Sequence, residues 1–321
     1  MFKELINSRI LVTGATGLIG TALCRELVRL GAHVIALVRN PEKAAIKLPR
    51  EVEVCVGDVT RPLEYDASVD YIVHAASETA SVAFIERPVE VIEDTLAGAR
   101  NVLDFARRKQ VKGLVFLSTM EVYGLTDSED VKEMDYAALD SMSPRNCYPE
   151  AKRLVECLCA SAAKEYGIPV RVARLTQTFG AGVTKGDKRV FAQFAEAAIA
   201  GRDIVLKSDG KTARCYCGID DAVSAILTIL TKGESGAAYN VANPETFCTI
   251  REMAELVAHE FSSGNSKVIV NLDGVDKCGY LPMFRMKLNV DRLKNLGWIP
   301  RQDLLTMFNG LIADWANVRN R

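Results

Sequence analysis

Several large protein classes need features that this chain has little of. Its 321 residues include only three histidines and two tryptophans. No stretch approaches the roughly 18 consecutive apolar residues of a membrane-spanning helix, and no internal repeat or low-complexity tract occurs. Neither sign of charge dominates: 40 Lys and Arg against 41 Asp and Glu leave a formal net charge of -1. A nucleic acid or an anionic membrane surface needs a basic face, so neither is an expected partner. The opening Met1-Phe2-Lys3-Glu4-Leu5 lacks the basic-then-apolar build of a signal peptide. A cytoplasmic location is therefore expected.

Metal-ligand spacing is also missing. The nine cysteines (24, 55, 147, 157, 159, 215, 217, 248 and 278) are odd in number and scattered through a chain large enough to need no disulfide staples. Cys157 and Cys159, like Cys215 and Cys217, form a close pair, but no second pair stands at zinc spacing. His33, His74 and His259 are each isolated from the pairs. The expectation is no metal and buried or half-buried thiols.

What is present is a core-forming composition, 49% hydrophobic and 25% charged. Short β-rich runs occur at Arg9 to Thr13, His33 to Val38, Val52 to Val56, Asp70 to His74, Gly113 to Ser118 and Pro169 to Leu175. Amphipathic stretches alternate with them, the clearest being Leu18 to Leu30, Val89 to Lys109 and Tyr148 to Tyr166. Wholly apolar strands are buried on both faces, which predicts a doubly wound, Rossmann-type α/β domain with a parallel sheet. Glu129 to Met142 reads as a polar loop.

Beyond Leu175 the pattern loosens. Helices are predicted at Val190 to Ala200, Ile219 to Leu230, Ile250 to Phe261 and about Leu304 to Val318. Strands are predicted at Ile204 to Leu206, Ala238 to Val241 and Lys267 to Val270. The expected division is a dinucleotide-binding domain over 1–175 with about 217–245, and a small discontinuous α/β substrate-binding cap from about 176–216 and 246–321.

Thr13-Gly14-Ala15-Thr16-Gly17-Leu18-Ile19-Gly20 follows the first strand and opens the first helix. Gly14 suits a tight turn, Gly17 a close approach of pyrophosphate, and Gly20 close helix–strand packing. The helix amino end offers free N–H groups to phosphates. At the end of the second strand, Val38 stands where an acidic partner of the ribose would be, and Arg39 follows. That favours NADP over NAD, unless Arg39 is only a solvated charge. After the third strand, Asp58 of Gly57-Asp58-Val59 is either an acceptor for the adenine amino group or a turn cap.

Tyr148 and Lys152 are four apart at a helix start and so share a face. An ammonium beside a phenol lowers its pKa and makes it a usable acid/base. The pair alone is weak evidence. It gains weight from Ser118-Thr119-Met120-Glu121-Val122-Tyr123-Gly124 about 30 residues earlier, at the carboxyl end of the fifth strand, where open α/β sheets bind ligands.

Together with His74-Ala75-Ala76-Ser77, Arg174 to Gly180, Arg214 to Asp221, Tyr239 to Asn243 and Leu296-Gly297-Trp298, these motifs span nearly the whole chain. They resemble the extended short-chain dehydrogenase/reductases, and more narrowly their nucleotide-sugar epimerase/dehydratase branch. The resemblance implies that Gly14, Thr16, Gly17, Leu18, Ile19, Arg39, Asp58, Val59, Ala75 and Ala76 line an NAD(P) site with Tyr148 and Lys152. Tyr148 would take the proton from the sugar C4 hydroxyl while hydride goes to the nicotinamide. Lys152 would hold the ribose hydroxyls, and Thr119 would bond the reacting oxygen. Arg214 would clamp the diphosphate of the substrate, with Arg285 a weaker candidate; Gln177 would line the sugar pocket.

Departures from the family pattern bear on the reaction. In 4,6-dehydratases the strand end reads Thr-Asp-Glu, the Asp protonating the leaving hydroxyl. Here it reads Thr119-Met120-Glu121, and a thioether cannot donate a proton. Ordinary dehydration is disfavoured, whereas an acid after Thr-X also occurs in the decarboxylase branch, so Glu121 is kept as a catalytic candidate. Gln177, Phe179, Ala181, Cys215 and Gly218 replace usual family residues, so the substrate cannot be borrowed from one relative.

The reading that results is an epimerase- or decarboxylase-type nucleotide-sugar enzyme acting through transient C4 oxidation. An alternative is an NADPH-dependent carbonyl reductase, which Arg39 favours. A further one is a non-catalytic dinucleotide sensor, which has no reason to keep Tyr148, Lys152 and Thr119. The helices Val89 to Lys109 and Tyr148 to Tyr166 suit the homodimer interface common in the family, or simply cover the sheet.

Overall fold

In the computed structural model, which describes residues 2–262, 266–272 and 283–318, each apolar run of the first half becomes a strand of one sheet. β1 (Arg9–Thr13), β2 (His33–Val38), β3 (Glu53–Val56), β4 (Tyr71–His74) and β5 (Gly113–Thr119) come from that half. Further along, β6 is Asp127–Val131, β7 Val170–Leu175, β8 Gln177–Phe179, β9 Ile204–Leu206, β10 Ala213–Gly218 and β11 Ala238–Val241. The seven-stranded sheet has the order β11-β7-β5-β4-β1-β2-β3, with every neighbouring pair parallel. Strand order reverses between β1 and β4, and open α/β sheets bind their ligands beyond the carboxyl ends at such a switch point.

Strand alternation sends neighbouring side chains to opposite faces. Ile10 and Val12 pack with Leu23 and Leu27 of α1 (Leu18–Arg29) and with Ile226, Ile229 and Leu230 of α7 (Ile219–Lys232). Leu11, between them, joins Val102, Phe105 and Ala106 of α4 (Pro88–Lys109) and Val155 of α5 (Cys147–Tyr166) on the other side. Each such buried side chain contributes about 1.5–3 kcal/mol. β3 differs from the expectation of double burial: it is the sheet edge, and Val54 and Val56 are exposed.

A second, mixed sheet has the order β12-β10-β14-β6, where β12 is Asn243–Thr249 and β14 is Arg285–Leu288; β8 also pairs with β10. It corrects the reading of Glu129 to Met142 as a polar loop. Residues 129–131 continue β6, Val131 is buried, and buried Glu133 accepts a hydrogen bond from the Asn240 backbone. Its polar side chains are employed in pairing with distant strands, which local composition does not reveal.

A third core lies under α6 (Val190–Ile199), α8 (Ile250–Phe261) and α10 (Leu304–Val318), where Phe179 stacks on Phe191 and meets Phe308 edge-on. Beside it, β9 pairs with β13 (Val268–Val270). Cys215 and Cys217 are buried on β10; Cys159 is buried on α5 and Cys157 is exposed, while Cys278 lies outside the described residues.

Candidate active site

The β1–α1 turn is built by close backbone approach. Gly14 has φ +66°, and a Cβ there would sit 2.6 Å from the backbone of Ala75 at the end of β4. A Cβ on Gly20 would come within 2.2 Å of the Gly14 carbonyl oxygen, so only glycine lets α1 start against its own turn. Gly17 caps α1 with no side-chain bond, and no acidic residue stands in the first turn. The amino-end N–H groups and their positive dipole are thus available to an anion. This cradle fits the dinucleotide that the glycine spacing implies. Thr16, Leu18 and Ile19 lie in the same turn and first helical turn.

Three further features frame the turn. Thr13 Oγ1 accepts from the Ala76 N–H at 3.2 Å and lies 2.7 Å from His74 Nδ1, tying β1 to the β4 end. His74 is buried, and burial lowers its pKa to about 3, helped by the charge of Lys152, so it is a neutral strut. Lys47, on α2 (Pro41–Lys47), donates to the Thr16 carbonyl at 3.3 Å. Arg39 is largely exposed, 3.9 Å from Asp58. Asp58 itself caps a turn, its Oδ1 accepting from the N–H and hydroxyl of Thr60. The Val59 carbonyl accepts from Asn101.

At the end of β5, Thr119 accepts from the Glu121 N–H at 3.2 Å and so starts the 3₁₀ turn Met120–Tyr123. The first turns of α5 bring Tyr148 and Lys152 alongside. Tyr148 is 7% exposed and stacks on Phe84 of α3 (Ser81–Glu86), with ring centres 4.5 Å apart. Burial holds its phenol well above the ordinary range and the charge of Glu121 adds to this. A hydrogen bond with Thr119 and the charge of Arg145 act in the opposite direction.

Lys152 is 2% exposed and donates to the Leu117 carbonyl at 2.8 Å. Its ammonium lies 4.5 Å from the Phe116 ring centre and 5.7 Å from that of Tyr148. Burial lowers its pKa to about 7, against an upward pull from Glu156 and Cys159. The phenol is raised rather than lowered, contrary to what the four-residue spacing suggests, because desolvation of the phenolate outweighs the Thr119 bond and the Arg145 charge.

Glu156, one turn beyond Lys152, is itself anchored. It takes the Ser118 hydroxyl at 2.5 Å and a forked contact from buried Arg174, the closest at 2.6 Å. Met120 is buried, and the Thr176 hydroxyl lies 3.2 Å from its sulfur while donating to the Cys215 carbonyl at 2.5 Å. No proton donor occupies that position.

The second sheet carries the arginines. The register pairs Ala213 with Arg285 and Arg214 with Met286, so the two guanidinium groups leave opposite faces. Arg285 is ion-paired with Glu129 and lies over Phe247. Arg214 lies over Phe284, and its Nε is buried without a partner. Gln177 Oε1 and Tyr216 Oη are likewise buried and unpartnered, and the register aligns Gln177 with Tyr216. Three buried polar atoms from β8 and β10 thus lack a partner, a costly arrangement unless a ligand completes it.

Phe84, Arg145, Lys47 and Glu156 were not foreseen. Arg145, one turn ahead of Tyr148, was findable by its spacing alone; Phe84 reaches Tyr148 only through tertiary packing.

A doubly wound sheet with a three-glycine turn at β1, and a Tyr–Lys helix beside the end of β5, defines the extended short-chain dehydrogenase/reductase class. The model of the NAD dependent epimerase/dehydratase family matches residues 10–242, and the chain is an enzyme belonging to that family. It is 31% identical over 264 residues to UDP-glucuronic acid decarboxylase 1 of Danio rerio, covering 79% of this chain but 61% of the relative. It is 30% identical over 303 residues to UDP-N-acetyl-alpha-D-glucosaminuronate decarboxylase of Bacillus cytotoxicus, covering 91% and 92% of the two chains. In fold it is similar to a solved UDP-glucose 4-epimerase of Thermotoga maritima, with TM-score 0.83, 21% identity and coverage of 97% and 99%.

Proposed function

We propose that the chain decarboxylates a nucleotide-diphosphate uronic acid by way of transient oxidation at sugar C4. The carrying observation is Thr119-Met120-Glu121 at the end of β5: a buried thioether stands where dehydration needs an acid, while Glu121 is retained. Relatives named as uronate decarboxylases support the same choice. A dinucleotide held by the Gly14–Gly20 turn would supply the hydride acceptor and donor for C4.

Tyr148, as its phenolate, would take the C4 hydroxyl proton and give it back, and Thr119 would hold the reacting oxygen. A ketone at C4 makes the C6 carboxylate a β-keto acid. The C5–C6 bond then breaks with its electron pair passing toward the C4 oxygen, CO2 leaves, and C5 takes a proton from water, which the Glu121 carboxylate is placed to orient. Lys152 binds the ribose hydroxyls. Arg214, with Gln177 beside it, clamps the diphosphate, since a planar five-donor fork suits it. Arg285, held by Glu129 on the other face, supports a secondary contribution only.

Arg39, with Lys43 following on α2, favours room for a 2′-phosphate, so NADP is accepted as well as NAD. Residues 1–175 with about 217–245 carry the dinucleotide, and about 176–216 with 246–321 form the cap. A cytoplasmic homodimer joined through α4 and α5 completes the proposal; among the described residues no helix is long and apolar enough to cross a membrane. The test is incubation with UDP-glucuronate and catalytic NAD or NADP. CO2 release with a pentose product supports the proposal, and a stoichiometric consumption of NADPH against keto sugars supports a reductase instead.

A further inference from the structure

Arg145 sits in the short 3₁₀ turn Pro144–Asn146 that leads into α5. Its guanidinium lies 5.2 Å from the centre of the Phe84 ring, the ring on which Tyr148 stacks. Phe84 is therefore a shared platform for an arginine and the candidate acid/base. Both Nη atoms approach the same oxygen of Glu121, each at 3.4 Å, well beyond the 2.7–2.9 Å of a firm charge-assisted bond. Nε is buried and has no partner. The side chain is only 19% exposed, so water does not make up the deficit. A five-donor cation is thus held in a half-dry pocket by two long contacts to one oxygen.

Resting on the decarboxylase reading, we propose that Arg145 is the specificity-determining residue that receives the C6 carboxylate of a uronic-acid substrate. With the C4 hydroxyl at Tyr148, the anionic group closest along the sugar ring is the carboxylate on C5. Arg145 is the cation that shares a platform with that phenol. The same guanidinium offsets Glu121, whose charge would otherwise repel an anionic sugar. A neutral hexose, with a hydroxymethyl at C6, gains nothing from it. Other groups bordering Tyr148 do not compete for the carboxylate: Thr119 is neutral, Cys147 is a buried thiol with a raised pKa, and Lys152, with one donor on the Leu117 carbonyl, serves the ribose hydroxyls.

The test uses the full chain saturated with NADH, which cannot take the C4 hydride and leaves the sugar intact, and dissociation constants for UDP-glucuronate and UDP-glucose, which differ only at C6; NAD replaces NADH only for the separate reading of C4 oxidation. Wild type is expected to prefer the uronate. Arg145→Gln is expected to weaken uronate binding by about 10–100-fold, as for a lost hydrogen bond to a charged group, while UDP-glucose stays within about twofold. Arg145→Lys keeps the charge but not the fork and should recover part of the preference. Equal losses for both sugars, or an unchanged ratio, would overturn the proposal, as would a wild type that binds the two equally. Transient nicotinamide reduction by either sugar reads C4 oxidation separately: its absence defeats the mechanism, while the binding ratio still decides the role of Arg145.

Discussion

The two larger sheets of this molecule are assembled on different principles. In the seven-stranded sheet β1, β2 and β4 are each followed directly in the chain by a helix, and all pairs are parallel. The five-stranded sheet joins segments as far apart as Asp127 and Leu288 in mixed directions, with polar side chains at their pairing positions. The first presents backbone: a glycine turn and a helix amino end suited to one invariant ligand. The second presents side chains, Arg214 and its unpartnered neighbours, on strands whose residues depart from the family pattern. Between them, the end of β5 and the start of α5 hold Thr119, Tyr148 and Lys152. A rigid, locally encoded platform for the dinucleotide is thereby separated from a variable surface for the sugar nucleotide.

The largest effect is expected where the two regions meet. Tyr148→Phe should lower kcat by about 10²–10⁴-fold, with dinucleotide affinity measured by calorimetry nearly unchanged; retained activity would remove the phenol from the mechanism. A lesion confined to the first sheet should behave differently. Gly20→Ala places a methyl 2.2 Å from the Gly14 carbonyl and should cost about 1–3 kcal/mol in chemical denaturation, with loss of dinucleotide binding.

Smaller effects refine the boundary. Arg39→Ala should reduce the NADP-to-NAD affinity ratio by about tenfold, roughly 1.4 kcal/mol, without altering affinity for UDP; an unchanged ratio makes Arg39 a surface charge paired with Asp58. The mildest is a pH effect on the first sheet. His74 titrates at 6.5 in the unfolded chain and about 3 in the fold, so its stabilising contribution is present above 6.5 and is lost as pH falls from 6.5 toward 3. Denaturation series over that window should show a shallower slope for His74→Asn than for wild type.

Legibility followed the same division. β1, α1, α5 and β7 were readable because apolar periodicity and the glycine spacing are local signals. β6, β8, β12 and β14 were not, because short strands with polar residues acquire their identity from partners distant in the chain. For the site, Thr119, Tyr148 and Lys152 do converge as their spacing suggested. The direction of the phenol's shift was not readable, since burial of Tyr148 against Phe84 depends on α3, an element without a sequence signal of its own. The arginines illustrate the limit most plainly: Arg214 and Arg285 look equivalent in sequence, and only the strand register assigns them to opposite faces.

The most direct measurement follows an isotope through one turnover. UDP-glucuronate carrying deuterium at C4 is incubated with the enzyme and excess unlabelled dinucleotide, and the product is analysed by mass spectrometry. Transient C4 oxidation with return of the same hydride predicts CO2 release and a pentose product that retains the label at C4. Label lost to the dinucleotide pool, or CO2 absent with the sugar unchanged, would contradict it.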